Sequence, residues 1–164
     1  MKTIASRGLA ALLLGAPTAA LADSRQTTMS VNATVSANCT ISAGGVDFAA
    51  INPQSASPHT ATGTVTVTCT NGAPWTIGAD AGAGTGATLT SRRMMSGANA
   101  INYSLFTDSG FVNVWGSGSG GTALLSGTGT GSAQALTVYG RVPAGQTTIR
   151  AGTYGDTVNI TVTY

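Results

Sequence analysis

For metal and carboxylate chemistry the 164-residue sequence offers one histidine, two cysteines, five aspartates and no glutamate. His59 ends a proline-flanked loop, Pro53 to His59. Serine–histidine catalysis needs a strained G-x-S-x-G elbow to expose its nucleophile, and the sequence contains none. Hydrolysis by paired carboxylates needs two acids facing one bond. Asp23, Asp47, Asp80, Asp108 and Asp156 are scattered, several of them at expected turns. A structural or catalytic metal site draws on several Cys, His and carboxylate ligands, and a single histidine is a poor start. Gly82-x-Gly84-x-Gly86 would cradle a phosphate only if a helix opened behind it, and no helical pattern follows. Arg92-Arg93 is too small a cationic cluster to neutralise a nucleic-acid backbone. The residues predict no catalysis, no metal and no cofactor; the chain reads as a non-enzyme with no nucleic-acid partner.

The two cysteines carry the remaining chemistry. Cys39 and Cys69 lack the C-x-x-C spacing and the low-pKa surroundings of a redox pair. In an exported chain they read as one disulfide, with an intermolecular bond as the alternative. Closing a loop of about 30 residues stabilises by roughly 3–4 kcal/mol in the chain-entropy model.

Export itself is read from residues 1–22. Lys2 and Arg7 charge the leading region, Leu9 to Ala16 form a short apolar core, and Ala20-Leu21-Ala22 is an A-x-A-type cleavage site. The apolar run is too short to span a bilayer. Cleavage after Ala22 would leave one domain of ordinary size. It would also leave five arginines against five aspartates and no lysine, so a charge near zero. Such a surface favours association.

The elements that must position these residues are strands. Gly63 to Thr70 places Val65, Val67 and Cys69 on one face. After a turn at Asn71 to Pro74 come Trp75 to Ile77, Ile101 to Phe106, Phe111 to Trp115, Ala135 to Val142 and Tyr154 to Tyr164. Glycine-rich loops separate them. Short strands with turn signals about every ten residues predict an all-β antiparallel sandwich. Trp75 and Trp115 read as core anchors, with sugar stacking as the alternative. Arg92, Arg141 and Asp156 read as surface ion pairs or turn hydrogen bonds.

Two further stretches alternate cleanly. Thr27 to Cys39 puts Met29, Val31, Ala33 and Val35 on one face, the mark of a strand with one buried side. Thr157 to Tyr164 does the same with Val158, Ile160, Val162 and Tyr164. No proline, lysine or bulge glycine follows Gly155 to blunt that edge. Whether the first stretch pairs within its own domain or with another molecule is left open by the pattern.

Several motifs in sequence order resemble the spore coat protein U domain, the subunit domain of archaic (Csu-type) chaperone–usher pili. They are Val35-x-x-x-Cys39-x-Ile41, Val65 to Cys69, Arg92-x-Met94 and Ile101-x-Tyr103-x-Leu105-Phe106-x-Asp108. Trp115-Gly116, Val138 to Gln146 and Gly152-x-Tyr154-x-Asp156-x-Val158-x-Ile160-x-Val162-x-Tyr164 complete the set. One departure stands out: many relatives carry an aromatic–glycine pair where this chain has Phe48-Ala49. The resemblance implies an incomplete immunoglobulin-like sandwich, completed by donor-strand exchange. It implies residues 1–22 as signal, 23–37 as donor-strand extension and 38–164 as the domain. Met29, Val31, Ala33 and Val35 would be the donor plugs. Val158, Ile160, Val162 and Tyr164 would edge the acceptor groove, which a chaperone also uses. The implied partners are neighbouring pilus subunits, a periplasmic chaperone and an outer-membrane usher. The implied route is through the periplasm to a surface fimbrium that serves attachment and biofilm formation. A tip or carbohydrate-binding adhesin module and a self-contained secreted coat protein are the alternatives.

Overall fold

The structure, a computed structural model, describes residues 21–164. The signal-peptide reading of residues 1–22 therefore lies, apart from Leu21 and Ala22, outside the described residues. The chain divides after Thr34.

Residues 21–34 contain no strand, and all of them are exposed. Arg25 donates to the Asp23 carboxylate at 3.1 Å. The strand expected over Thr27 to Cys39 is not formed: residues 27–38 lie outside regular structure, and β1 begins only at Cys39. The reason is that a strand is a paired object. Alternation fixes the two faces of a segment, but its backbone groups need a neighbouring backbone to make a ladder.

Residues 35–164 carry eight strands and, among the described residues, no helix. They are β1 (Cys39–Ala43), β2 (His59–Cys69), β3 (Pro74–Ala79), β4 (Arg92–Ser96), β5 (Asn99–Phe106), β6 (Leu125–Thr128), β7 (Ala133–Val142) and β8 (Ile160–Thr163). One sheet has the order β1-β2-β7-β5-β4 and the other β6-β3-β8. Every ladder is antiparallel. The fold is thus the all-β antiparallel sandwich that the alternation predicts.

The period of two explains the core. In β2, Val65, Val67 and Cys69 are buried while Thr60, Thr62 and Thr64 are exposed. Ile101, Tyr103 and Leu105 of β5 and Val138 and Val142 of β7 face the same interior, opposite Trp75, Ile77 and Ala79 of β3. Trp115 is buried and donates its indole N–H to the Ile77 carbonyl at 3.0 Å. Cys39 and Cys69 lie directly opposite one another on β1 and β2 and form a disulfide within the chain.

Three expectations need correction. Phe111 to Trp115 is not a strand; its backbone pairs with β5 only through an isolated bridge, Phe106 to Val114. Phe111 has a φ of 55°, and the Asp108 carboxylate accepts the N–H groups of Val112 and Asn113, so a side chain competes for the bonds a ladder would use. Tyr154 to Tyr164 shrinks to the four residues of β8, because Asp80 and Asp156 capture the backbone before it. Arg92 is not on the surface: its side chain is fully buried and donates to the carbonyls of Asp80 (2.9 Å), Leu89 (3.0 Å) and Trp115 (2.8 Å). Three carbonyls converging on one planar fork suit arginine better than any other side chain. Arg141 is half-buried, with its guanidinium 4.9 Å above the Phe106 ring and 5.2 Å above that of Phe111.

Candidate functional site

β1 is an edge of the larger sheet and β8 an edge of the smaller. Between them opens a furrow of about 400 Å³. One rim is Ala43 to Phe48 and the other Tyr154 to Ile160. Val65, Leu105, Trp115 and Val138 form an apolar floor, with Met94 and Tyr103 beside them. A second reach of about 580 Å³ continues past Phe48 and Tyr154 toward Ile51 and Ile149. Val46, Phe48, Met94 and Tyr154 line both reaches, which makes them one trough.

The first rim is built by glycines in the neighbouring strands. After Gly44 the chain leaves β2 and crosses the inner face of the larger sheet. A Cβ at Gly63 would come 2.7 Å from Val46, and one at Gly140 would come 2.7 Å from both Val46 and Phe48. Only a missing side chain lets the rim lie that close. The crossing ends at Ala49, whose φ of 51° is a left-handed conformation that glycine adopts freely and alanine does not. The departure from the family's aromatic–glycine pair falls on this residue.

The second rim presents an open backbone edge. The Asp80 N–H donates to the Asn159 carbonyl, so that pair is a bonded one. Bonded pairs alternate along an antiparallel ladder. Ile160 and Val162, opposite Ala79 and Ile77, therefore point their N–H and C=O groups away from β3. Val158 has no backbone partner among the described residues. The side chains of the same three residues are half-buried against the core. Facing them, the N–H and C=O groups of Gly45 to Phe48 are likewise without backbone partners among the described residues. Such a trough can accept one extended strand, with backbone bonds at its sides and alternate side chains on its floor.

Of the four residues expected at this edge, Val158 and Ile160 line the furrow. Val162 is half-buried and Tyr164 is 54% exposed. Met29, Val31 and Val35 are 87%, 85% and 83% exposed, and Ala33 is exposed too. The first rim escaped the sequence reading. Its signal was Val46-x-Phe48 after the Gly44-Gly45 pair, a two-position alternation too short to stand out. The floor could not be read, because it joins residues from strands far apart in the chain.

Tyr103 and Asp156 supply polarity at the rim. The phenol donates to Asp156 Oδ2 at 2.8 Å. Burial pushes the Tyr103 hydroxyl well above its ordinary value, and the bond to Asp156 and that residue's charge push it further, so it is a neutral donor. His59 accepts the Asn52 N–H at 3.2 Å and takes no part in the furrow.

The Spore Coat Protein U domain model matches residues 25–161. No curated protein matches the chain. Among solved structures, one chain of a complex from Acinetobacter baumannii shares the fold with a TM-score of 0.58 at 22% identity. That complex is the CsuC–CsuE chaperone–tip adhesion subunit pre-assembly complex of archaic chaperone–usher Csu pili. The match covers 80% of this chain and 40% of that one, so this chain spans less than half of its neighbour's length.

Proposed function

The chain belongs to the Spore Coat Protein U domain family and is a structural protein, and from that premise we propose that it is a pilus subunit that polymerises by donor-strand exchange. Residues 1–22 are the export signal, 23–37 the donor extension and 38–164 the accepting domain. A periplasmic chaperone fills the furrow first. At the outer-membrane usher the extension of the next subunit replaces it. The product is a surface fimbrium for attachment and biofilm formation.

The observation that carries this reading is the pairing of an apolar trough, open along two unpaired backbone edges, with an exposed alternating segment of matching length. Met29 to Val35 and the rim from Tyr154 to Ile160 each span six residue steps, at most about 20 Å at roughly 3.4 Å per residue. Met29, Val31, Ala33 and Val35 then serve as plugs. Their burial at about 1–3 kcal/mol for each larger side chain, with a ladder at about 1 kcal/mol per bond, opposes an ordering cost of about 1–2 kcal/mol per residue. Slow release then keeps the fibre together more than a deep equilibrium does.

Deletion of residues 23–36 tests the proposal. The shortened chain is expected to bind a peptide of residues 27–37 and to remain monomeric. Polymerisation at the wild-type rate would reject the donor assignment. A wild-type chain that stays monomeric with its own extension bound inside the furrow would favour the self-contained coat protein.

A further inference from the structure

The second rim is held in place by two carboxylates. Asp80 follows β3; its Oδ1 accepts the backbone N–H groups of Gly82 (2.9 Å) and Asn159 (3.0 Å), and its Oδ2 accepts the Asn159 side-chain amide (2.7 Å). Asp156 lies on the rim itself. Its Oδ1 accepts the N–H groups of Ala83 and Thr157, both at 2.8 Å, and its Oδ2 accepts the Tyr103 hydroxyl. Only two backbone bonds join the same segments, from Asp80 to Asn159 and from Ala83 to Thr157. The regular ladder starts later, at Ile160. Residues 156–159 are therefore stapled to the 80–83 loop mainly by side chains. These are the residues that hold Val158 over the furrow with its backbone free.

We propose that Asp80 and Asp156 form a carboxylate clamp that positions the acceptor rim, so that the furrow grips a donor strand only while the clamp is ionised. The inference rests on the reading of the furrow as an acceptor site. The clamp acts through the backbone it holds; both aspartates are positioning residues.

The groups that face the clamp are few. Arg92 comes from β4, Tyr103 from β5, and the two carboxylates come from the loop after β3 and from the rim. Burial raises the pKa of Asp80, but the hydrogen bonds from the Asn159 side chain, Gly82 and the Asn159 backbone, with the charge of Arg92, outweigh it and leave the carboxyl below its ordinary 3.8. A depressed carboxylate contributes its hold above the unfolded value and loses it as pH falls through the folded one. The Asp80 half of the clamp is thus complete at neutral pH and is lost in acid, below that ordinary value. A carboxyl that takes up a proton loses the charge that strengthens the N–H bonds it accepts.

The test uses the full chain and a labelled peptide of residues 27–37. Peptide release is followed from about pH 7 to about pH 2.5, across the range in which a carboxylate below its ordinary pKa titrates. The wild type should release peptide slowly at neutral pH and at least about tenfold faster in acid, the worth of one charge-assisted bond. The neutral, near-isosteric double variant Asp80→Asn, Asp156→Asn should release fast at neutral pH and show no acid limb. A full acid limb in that variant would overturn the proposal, since neither clamp carboxylate would remain to lose its charge. Hydrogen exchange separates this failure from failure of the acceptor reading. The amides of Ala83, Thr157 and Asn159 should exchange faster in the double variant at neutral pH, while those of β2 and β7 stay protected. If neither the wild type nor the chain lacking residues 23–36 takes up peptide, the acceptor reading falls and the clamp with it. If peptide binds but those amides exchange at the wild-type rate in the double variant, the clamp alone is wrong.

Discussion

Arg92 is the residue on which the interior depends most sharply. Replacing it with methionine keeps much of the volume and removes the fork. Three carbonyls, on Asp80, Leu89 and Trp115, lose their donor. Bonds from a charged donor are worth about 1.5–3 kcal/mol each. Against that stands the desolvation that the buried charge no longer incurs, several kcal/mol after relaxation. The net expectation for Arg92→Met is a loss of about 2–4 kcal/mol, a large share of the roughly 5–15 kcal/mol that holds a domain together. The melting temperature should fall by about 10 °C. Arg92→Lys keeps the charge, but one ammonium cannot face three separated carbonyls, so it should lose most of the same amount. Urea unfolding of the monomeric, disulfide-intact chain, followed by tryptophan fluorescence, measures both. The Trp115 carbonyl is one of the three acceptors, so its environment reports directly. A methionine variant within about 0.5 kcal/mol of wild type, the range of ordinary surface substitutions, would refute the reasoning.

Ala49→Gly should stabilise the chain by up to about 1.5 kcal/mol, read as a higher urea midpoint at an unchanged slope. Relief of the left-handed alanine is worth about 1–2 kcal/mol, and the freer unfolded chain takes back about 0.5–1. Replacing Cys39 and Cys69 together with serine should cost about 2–5 kcal/mol in the same assay, since the bond closes a loop between residues 30 apart in sequence. On the proposed donor-strand reading, Val31→Asp should bury an unpaired charge at the joint between subunits and lower the heat resistance of fibres, whereas Asn32→Asp, on the opposite face, should not. Equal heat resistance in the two would remove Val31 from the plugs.

Much of the fold was legible because the strands alternate. Val65, Val67 and Cys69, and likewise Ile101, Tyr103 and Leu105, are separated by one polar residue each, and all of them are buried. The shorter strands were not. β1, β4 and β6 have four or five residues, too few for a period of two to emerge from a Thr- and Gly-rich background. Arg92 was misread for a different reason. An arginine is buried when carbonyls converge on it, and the three that do so come from residues 80, 89 and 115. Phe111 to Trp115 was misread because turn bonds from Asp108 outcompeted the ladder that its apolar residues suggest.

Taken alone, the residues decide which side chains share a face and that the chain has two cysteines, Cys39 and Cys69. These are matters of local spacing and of counting. They cannot decide which strand lies beside which. The furrow exists because β2 pairs with β7 and β3 with β8, which brings residues 43–48 opposite residues 154–160 and leaves no strand between them. Long-range pairing is a property of the whole packed chain, since every strand competes for the same few edges. The trough, its glycine-seated rim and its carboxylate clamp therefore appear only in three dimensions.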